Sequence, residues 1–205
     1  MNIIFIGIQG SGKGTQAKEV AKQLNLVHIS TGDLLREQKG KLKKEIDNII
    51  NKGKLIPDEL MIKLLKEKIK KENNKEGIIL DGFPRTIQQA KKLTKEIKID
   101  RVIEIKISDK ESIKRLINRR TCEKCKEGYN LVTQPKPKIP NICDKCGGKL
   151  IQRKDDNLEA IKQRIKTYHN QTKPILDYYK EKIIKINGKK KIEKITKKII
   201  KKIKK

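Results

Sequence analysis

The chain has 205 residues, of which 38% are charged and only 3% aromatic, and its formal net charge is +28. This length suits a single domain with an insertion better than two independent domains. The lysines are spread along the whole chain, which argues against a localised patch for nucleic acid. The first apolar run ends at Gly7 and is too short for a signal peptide or a membrane span, so we expect a cytoplasmic protein.

Short apolar runs alternate with helical patterns. Strands are predicted at Asn2 to Ile6, Leu26 to Ile29, Gly77 to Leu80, Val102 to Ile107 and Ile183 to Ile186. Helices are predicted at Lys13 to Leu24, Thr31 to Gln38, Leu42 to Asn51, Pro57 to Glu72, Thr86 to Glu96, Lys110 to Arg120, Asp156 to Tyr179 with a break near Pro174, and Lys190 to Ile203. The alternation predicts an open, parallel five-stranded α/β sheet flanked by helices, with its sites at the carboxyl ends of the strands.

A glycine-rich turn follows the first strand. Its central residues are Gly10, Ser11, Gly12, Lys13, Gly14 and Thr15. The glycines let successive N–H groups point into one concavity, and the following helix presents its positive end to the same place. The pattern is close to a phosphate-binding loop, G-x-x-x-x-G-K-[ST], except that Gly14 stands between Lys13 and Thr15. We therefore predict phosphate binding here, and an ordinary turn with a surface lysine is the alternative.

Arginine is scarce, with eight arginines among 53 basic residues. Six of them lie in or beside recognisable motifs: Arg36, Arg85, Arg115, Arg119, Arg153 and Arg164. A guanidinium grips phosphate oxygens with two parallel hydrogen bonds, which lysine cannot do. Arginine usage thus agrees with a polyphosphate ligand. The two histidines, His28 in an apolar run and His169 on a helix, are interpreted as structural.

The four cysteines form two C-x-x-C pairs, Cys122 with Cys125 and Cys143 with Cys146. This spacing predicts a four-thiolate zinc site, and because four protein ligands leave no open position the metal would be structural. A redox pair or an iron site is the alternative. The segment around the cysteines has few large apolar residues, so we expect metal to be needed for its order.

The C-terminal segment carries isoleucines at helical spacing. They are Ile192, Ile195, Ile199 and Ile203. The stripe predicts a helix packed on the sheet with solvated lysines, and a membrane-surface helix is the alternative.

Taken together, several motifs resemble the adenylate kinases among the nucleoside monophosphate kinases. They are Gly12-Lys13-Gly14-Thr15, Ser30-Thr-Gly-Asp33-Leu-Leu-Arg36, Asp81-Gly-Phe-Pro-Arg85-Thr-Ile-Gln-Gln89-Ala and Arg153-Lys-Asp155-Asp156. The resemblance implies a Mg²⁺-dependent enzyme that interconverts ATP plus AMP with two ADP. It further implies a monomer without nucleic-acid or membrane partners.

The same resemblance implies three structural units. They are a core of residues 1–29, 58–120 and 154–205, a mobile AMP-binding insertion of residues 30–57, and a mobile zinc-binding lid of residues 121–153. Some adenylate kinases have such a zinc lid and others do not.

Site residues follow from the resemblance, position by position. Catalytic roles are implied for Lys13, Arg85, Arg119, Arg153 and Arg164. ATP binding is implied for Gly10, Ser11, Gly12, Lys13, Gly14, Thr15, Arg115 and Arg119. AMP binding is implied for Thr31, Arg36, Gly53, Ile56, Gly82, Arg85, Gln89, Arg153 and Arg164. Contact with magnesium through water is implied for Thr15, Asp33 and Asp81.

The chain departs from the common family pattern at three positions. Gln9 and Gln88 replace prolines, and Asn187 replaces an aspartate. None of these changes removes a phosphate ligand, but Gln9 could alter the stiffness of the loop. A pyrimidine or broad-specificity nucleoside monophosphate kinase is the nearest alternative, against which Gln89 favours AMP. A zinc-ribbon nucleic-acid binder is a remote alternative that leaves the glycine-rich loop without a purpose.

Overall fold

The computed structural model describes residues 1–72 and 76–204. Residues 73–75 and 205, which fall in the predicted core ranges, lie outside the described residues. The strands are β1 (Ile3–Ile6), β2 (Val27–Ser30), β3 (Ile78–Asp81), β4 (Arg101–Lys106), β5 (Arg119–Cys122), β6 (Gly128–Asn130), β7 (Leu150–Ile151) and β8 (Ile183–Asn187). The α-helices are α1 (Lys13–Leu24), α2 (Thr31–Arg36), α3 (Gly40–Ile50), α4 (Asp58–Lys71), α5 (Ile87–Glu96), α6 (Asp109–Ile117), α7 (Leu158–Thr167), α8 (Ile175–Tyr178) and α9 (Ile192–Ile203).

The main sheet has five parallel strands in the order β2-β3-β1-β4-β8. The central strands β1 and β3 are buried at every position, as expected for a parallel sheet covered by helices on both faces. The predicted open α/β sheet is therefore confirmed. Its strand order brings the carboxyl ends of β1, β2 and β3 side by side.

Two apolar cores cover the two faces of this sheet. Ile4 and Ile6 of β1 face one core, and Ile3 and Phe5 face the other. The second core also contains Ile195, Ile199 and Ile203 of α9. The prediction that the C-terminal stripe packs on the sheet is confirmed, and this apolar face is not available to a membrane surface. Among the described residues, no helix combines the length and apolarity needed to cross a bilayer.

Two predicted helices differ from the observed ones by more than two residues. Helix α6 ends at Ile117, and Arg119 and Arg120, predicted as the end of this helix, belong to β5. The predicted helix Asp156 to Tyr179 divides into α7, a π-helical turn at Tyr168–Thr172 and α8. At the end of α6, the pairing of β5 with neighbouring β6 and with distant β7 overrides local helical preference, and a sequence window does not detect the pairing with β7.

Residues 121–153, here called the cysteine module, contain most of a small antiparallel sheet with the order β6-β5-β7. Of its large apolar side chains, Tyr129 and Leu150 are buried. The remaining ones, Leu131, Val132, Ile139, Ile142 and Ile151, are 38% to 57% exposed. This burial is small for an ordered unit, in agreement with the expectation that the module needs another source of stability.

Candidate active site

A cavity of about 580 Å³ opens where β1, β2 and β3 end. Its walls come from the glycine-rich loop after β1, from Ser30 to Arg36, from Asp81 to Arg85 and from the cysteine module. Residues from four parts of the sequence thus meet at the sheet edge where ligands bind in open α/β folds.

The glycine-rich loop has the geometry of an anion cradle. Gly10 and Gly12 have φ of +76° and +91°, a region that favours glycine. Helix α1 begins at Lys13, so its unpaired N–H groups and the positive end of its dipole face the cavity. A Cβ atom on Gly14 would lie 3.0 Å from Asp81 Oδ2, which explains glycine at the position that departs from the common phosphate-loop pattern.

Lys13 is the cation at the mouth of this loop. Burial lowers the pKa of its ammonium to about 8; Asp81 opposes this shift, while Arg85, Arg119 and Arg164 add to it. One carboxylate and three guanidinium groups act on Lys13, so positive charge exceeds negative charge around its ammonium. An anionic ligand beside Lys13 would restore its pKa and would be stabilised in turn.

Six arginines line the cavity together with Lys13: Arg36, Arg85, Arg115, Arg119, Arg153 and Arg164. These are the same six arginines that the sequence analysis singled out, because arginine is rare in the chain and these six lie in or beside motifs. Arg85 donates through Nε to the carbonyl of Gly82 at 2.7 Å, and burial lowers its pKa. Arg153 donates to Thr121 Oγ1 at 3.0 Å, and burial, followed by the charges of Arg119 and Arg36, lowers its pKa to about 9.

Asp156 holds two of these arginines. Its carboxylate is 1% exposed and accepts two hydrogen bonds from Arg119, at 2.7 and 2.6 Å, and one from Arg164 at 2.9 Å. Burial alone would raise the pKa of Asp156, but the charge and hydrogen bonds of Arg119, together with Arg164, hold it below its ordinary value. Arg164 also donates to Asp155 Oδ2 at 2.9 Å. Both guanidinium groups are therefore fixed before any ligand binds.

The three predicted magnesium-associated residues, Thr15, Asp33 and Asp81, all line the cavity. Asp81 is 9% exposed at the end of β3. Asp33 already accepts a hydrogen bond from Arg36 at 2.7 Å. Burial alone would raise the pKa of Asp33, but the hydrogen bond and charge of Arg36 outweigh burial, so the pKa lies below its ordinary value. Carboxylate and hydroxyl oxygens suit Mg²⁺, so this donor set fits a magnesium ion that retains several waters.

Five predicted ligand-binding residues do not line the cavity, namely Ser11, Thr31, Gly53, Ile56 and Gln89. Thr31 donates to the carbonyl of Asp81 at 3.2 Å and so joins the start of α2 to the end of β3. Gln89 is 2% exposed, and its amide is occupied: Oε1 accepts from the Arg85 N–H at 2.7 Å, and Nε2 donates to Asp58 at 2.6 Å. Base reading by Gln89 stays a prediction, and it requires these bonds to exchange with a nucleotide.

His28 and Asp155 are among the residues that line the cavity although the sequence interpretation did not place them at the site. His28 lines the cavity, with Nε2 3.8 Å from Asp81 Oδ2, so the purely structural interpretation of this histidine is incomplete. Asp155 also lines the cavity and pairs with Arg164. Successive side chains of a strand point to opposite faces of the sheet, so the position of His28 in β2 could have indicated on which face of the sheet it lies. His169 lies away from the cavity, and its Nε2 is 3.0 Å from both carboxylate oxygens of Asp109.

The four cysteines converge in the cysteine module. Their sulfurs all lie within 4.8 Å of one another, with 3.5 Å between Cys122 and Cys146 and between Cys125 and Cys143. A tetrahedral zinc with Zn–S bonds near 2.3 Å places sulfurs about 3.8 Å apart. Around them, the Tyr129 hydroxyl lies 3.5 Å from Cys143 Sγ, and the Cys125 N–H donates to Cys122 Sγ at 3.4 Å. The donor set and its surroundings fit a structural metal.

Contacts join the cysteine module to the rest of the chain. Lys18 of α1 pairs with Glu127 at 2.8 Å, a contact across 109 positions of sequence. Asn130 donates to the carbonyl of Arg115 at 2.8 Å. The module therefore lies over the glycine-rich loop, and Arg153 of the module lines the same cavity as Lys13.

Comparison with known proteins agrees with this geometry. A family model described as adenylate kinase matches residues 5–184. The chain is 48% identical over 190 residues to the adenylate kinase of Treponema denticola, covering 91% of this chain and 90% of the relative. It is 45% identical over 210 residues to that of Staphylococcus aureus (98% and 97% covered) and 41% identical over 211 residues to that of Caldicellulosiruptor bescii (98% of each). Because the match spans the phosphate loop and every arginine of the cavity, the chain belongs to the adenylate kinase family.

Proposed function

We propose that the chain catalyses the reversible transfer of the terminal phosphoryl group of ATP to AMP, giving two ADP. The observation that carries this proposal is a single cavity in which the Lys13 loop faces arginines from four other segments, residues 31–36, 82–85, 115–119 and 153–164. Such an excess of fixed cations suits two polyphosphates that would otherwise repel each other.

Phosphoryl transfer depends mainly on the positioning of the two substrates and on electrostatic stabilisation of the transferring group. The transferred phosphoryl spreads negative charge over its equatorial oxygens, so prearranged cations stabilise its transition state more than they stabilise the separate substrates. The AMP phosphate has a pKa near 6 and is already an ionised nucleophile at neutral pH, so no general base is required. We assign the ATP phosphates to the loop amides and Lys13, and the transferring group to Arg119, Arg153 and Arg164.

Magnesium belongs to this proposal with Thr15, Asp33 and Asp81 around it. When bound with ATP, the ion neutralises charge on the β and γ phosphates. Asp81 would accept hydrogen bonds from waters of a hydrated cation, and its nearness to Gly14 supports a position of that cation beside the phosphate loop. Asp33 would contribute after releasing Arg36 to the AMP phosphate.

We further propose that residues 30–57 form the AMP-binding insertion and that the cysteine module acts as a lid with structural zinc. The contacts of Lys18 with Glu127 and of Asn130 with Arg115 support closure of the module over the loop. Closure excludes water, which competes with AMP for the phosphoryl group. We propose a cytoplasmic monomer without nucleic-acid partners. A titration of DNA binding over salt concentration checks the last point, because a nucleic-acid binder would show a steep salt dependence.

The test of the phosphate-loop assignment is Lys13→Met, with Lys22→Met on the same helix as the matched control. Lys13→Met removes the charge that faces the phosphates but leaves the loop amides, so we expect folding to be retained and single-turnover transfer to fall by at least a hundredfold. Lys22 lies in the last turn of α1, and its substitution should leave the rate unchanged. Near-normal transfer by folded Lys13→Met would refute the assignment.

A further inference from the structure

The first corner of the phosphate loop is a β-turn from Ile8 to Ser11. The Ser11 N–H donates to the Ile8 carbonyl at 3.1 Å, and Gly10 at the third position has φ of +76°. Gln9, at the second position, is not among the described residues with positive φ. These values define a type II turn, which requires glycine at its third position and favours proline at its second because the ring fixes φ.

Gln9 lacks this restraint, so something else must hold the corner. The hydroxyl of Ser112 donates to the Gln9 carbonyl at 2.6 Å. Ser112 is fully buried on α6, and a Cβ on Gly10 would lie 3.1 Å from both the Ser112 carbonyl oxygen and Leu116 Cγ. The corner of the loop thus lies directly against α6, with one hydrogen bond across the contact.

Helix α6 also leads to the ligand-binding arginines. Arg115 lies one turn after Ser112, donates to the Gly188 carbonyl at 3.1 Å and lines the cavity. The chain continues from the end of α6 to Arg119. A hydrogen bond between Ser112 and Gln9 therefore fixes the loop amides relative to the element that carries these arginines.

We propose that Ser112 is a positioning residue for the ATP phosphates: its hydroxyl holds the Gln9 carbonyl and sets the phosphate-loop corner that proline would otherwise preset. The inference rests on the proposed function. Ser112 does not touch the nucleotide; it acts through the orientation of the Gly10 to Gly12 amides. The Gln9 N–H donates no hydrogen bond to an acceptor in residues 1–72 or 76–204, so proline can replace Gln9 without losing one.

The experiment is a double-mutant cycle read by calorimetric binding of ATP with magnesium, without AMP. Ser112→Ala should weaken ATP binding about three- to tenfold, the effect of one lost hydrogen bond, and leave the KM for AMP within about twofold of wild type. In the Gln9→Pro background, the same change should weaken ATP binding less than about twofold. Gln9→Ala removes the side chain but adds no ring. In that background, Ser112→Ala should therefore still weaken ATP binding by about three- to tenfold.

Two further variants separate positioning from folding. Ser108→Ala removes a hydroxyl that caps the same helix, where it accepts from the Glu111 N–H at 3.3 Å, and should leave ATP binding unchanged. Ser112→Cys keeps the shape of the side chain, with a slightly larger thiol that is a weaker donor, and should give an intermediate affinity, even if Ser112→Ala unfolds.

An equal effect of Ser112→Ala on ATP binding in the Gln9→Pro and Gln9→Ala backgrounds would overturn the inference. An equal rise of the dissociation constant for ATP and of the KM for AMP would overturn it as well. Because ATP binding is measured without turnover, these results are distinct from a failure of the proposed function. That failure would be wild-type protein that binds ATP but transfers no phosphoryl group to AMP.

Discussion

Asp156 offers the most informative perturbation, because one buried carboxylate holds two arginines of the cavity. Asp156→Asn removes the negative charge and replaces one acceptor oxygen with a donor that faces guanidinium N–H groups. Three charge-assisted hydrogen bonds depend on this carboxylate, with Arg119 contributing two and Arg164 one. Breaking one side of a buried ion pair costs about 3–5 kcal/mol. Because the Arg119 side chain is 24% exposed and partly solvated, we expect the lower end, about 3 kcal/mol.

The assay is urea unfolding of the ligand-free protein, with steady-state turnover measured alongside. A loss of about 3 kcal/mol corresponds to a fall in Tm of about 6–12 °C for a chain of this size. Turnover should fall by about 10²-fold, because arginines displaced by about 1 Å no longer fit the transferring phosphoryl. The matched control is Glu96→Gln, which breaks an exposed pair with Lys66 and should change stability by less than about 0.5 kcal/mol.

The pH dependence follows from the sign of the shift. The pKa of Asp156 is lowered in the folded protein, so the stability it contributes is fully present above the ordinary aspartate pKa and is lost as pH falls through the lowered value. The difference in stability between wild type and Asp156→Asn should therefore shrink in acid. A difference below about 1 kcal/mol at neutral pH, or one that does not depend on pH, would refute the reasoning.

Four other predictions follow from the same cavity and module. Arg85→Lys should lower the single-turnover rate at saturating AMP by at least tenfold, because an ammonium cannot form two parallel hydrogen bonds to a phosphate; an unchanged rate would remove Arg85 from the site. Gln89→Ala should raise the KM for AMP and narrow its advantage over other monophosphates, and unchanged discrimination would move base reading elsewhere. ATP binding at pH 8.5 should take up a proton at Lys13, whose pKa of about 8 rises beside phosphate, and calorimetry in two buffers should find this uptake absent in Lys13→Met. Cys143→Ser should release the metal and increase hydrogen exchange in the cysteine module, while a metal-free wild type with a protected module would contradict the zinc proposal.

Local patterns were enough to predict the main sheet and the phosphate loop. The central strands β1 and β3 are short apolar runs buried on both faces, which makes them distinct from the lysine-rich helices. The loop is a contiguous motif, so Gly10, Gly12 and Lys13 could be assigned before any tertiary contact was known.

Features that depend on long-range contacts were beyond the sequence. The end of α6 was misplaced because β5 pairs with β7, at the far end of the cysteine module, as well as with neighbouring β6. The network around Asp156 joins residues 8 to 37 positions apart, and no periodicity indicates that its carboxylate is buried. The internal pairing of Gln89 with Asp58 and the hydrogen bond from Ser112 to Gln9 likewise depend on how helices pack.

The central claim is phosphoryl transfer between ATP and AMP, and a single coupled assay tests it most directly. Purified protein is given ATP and magnesium with AMP, UMP, CMP or GMP in turn, and nucleoside diphosphate formation is followed. The account predicts rapid formation of ADP with AMP and a value of kcat/KM for AMP at least a hundredfold above that for any other acceptor. Faster transfer to UMP or CMP, or no transfer to AMP by folded protein that holds ATP, would contradict it.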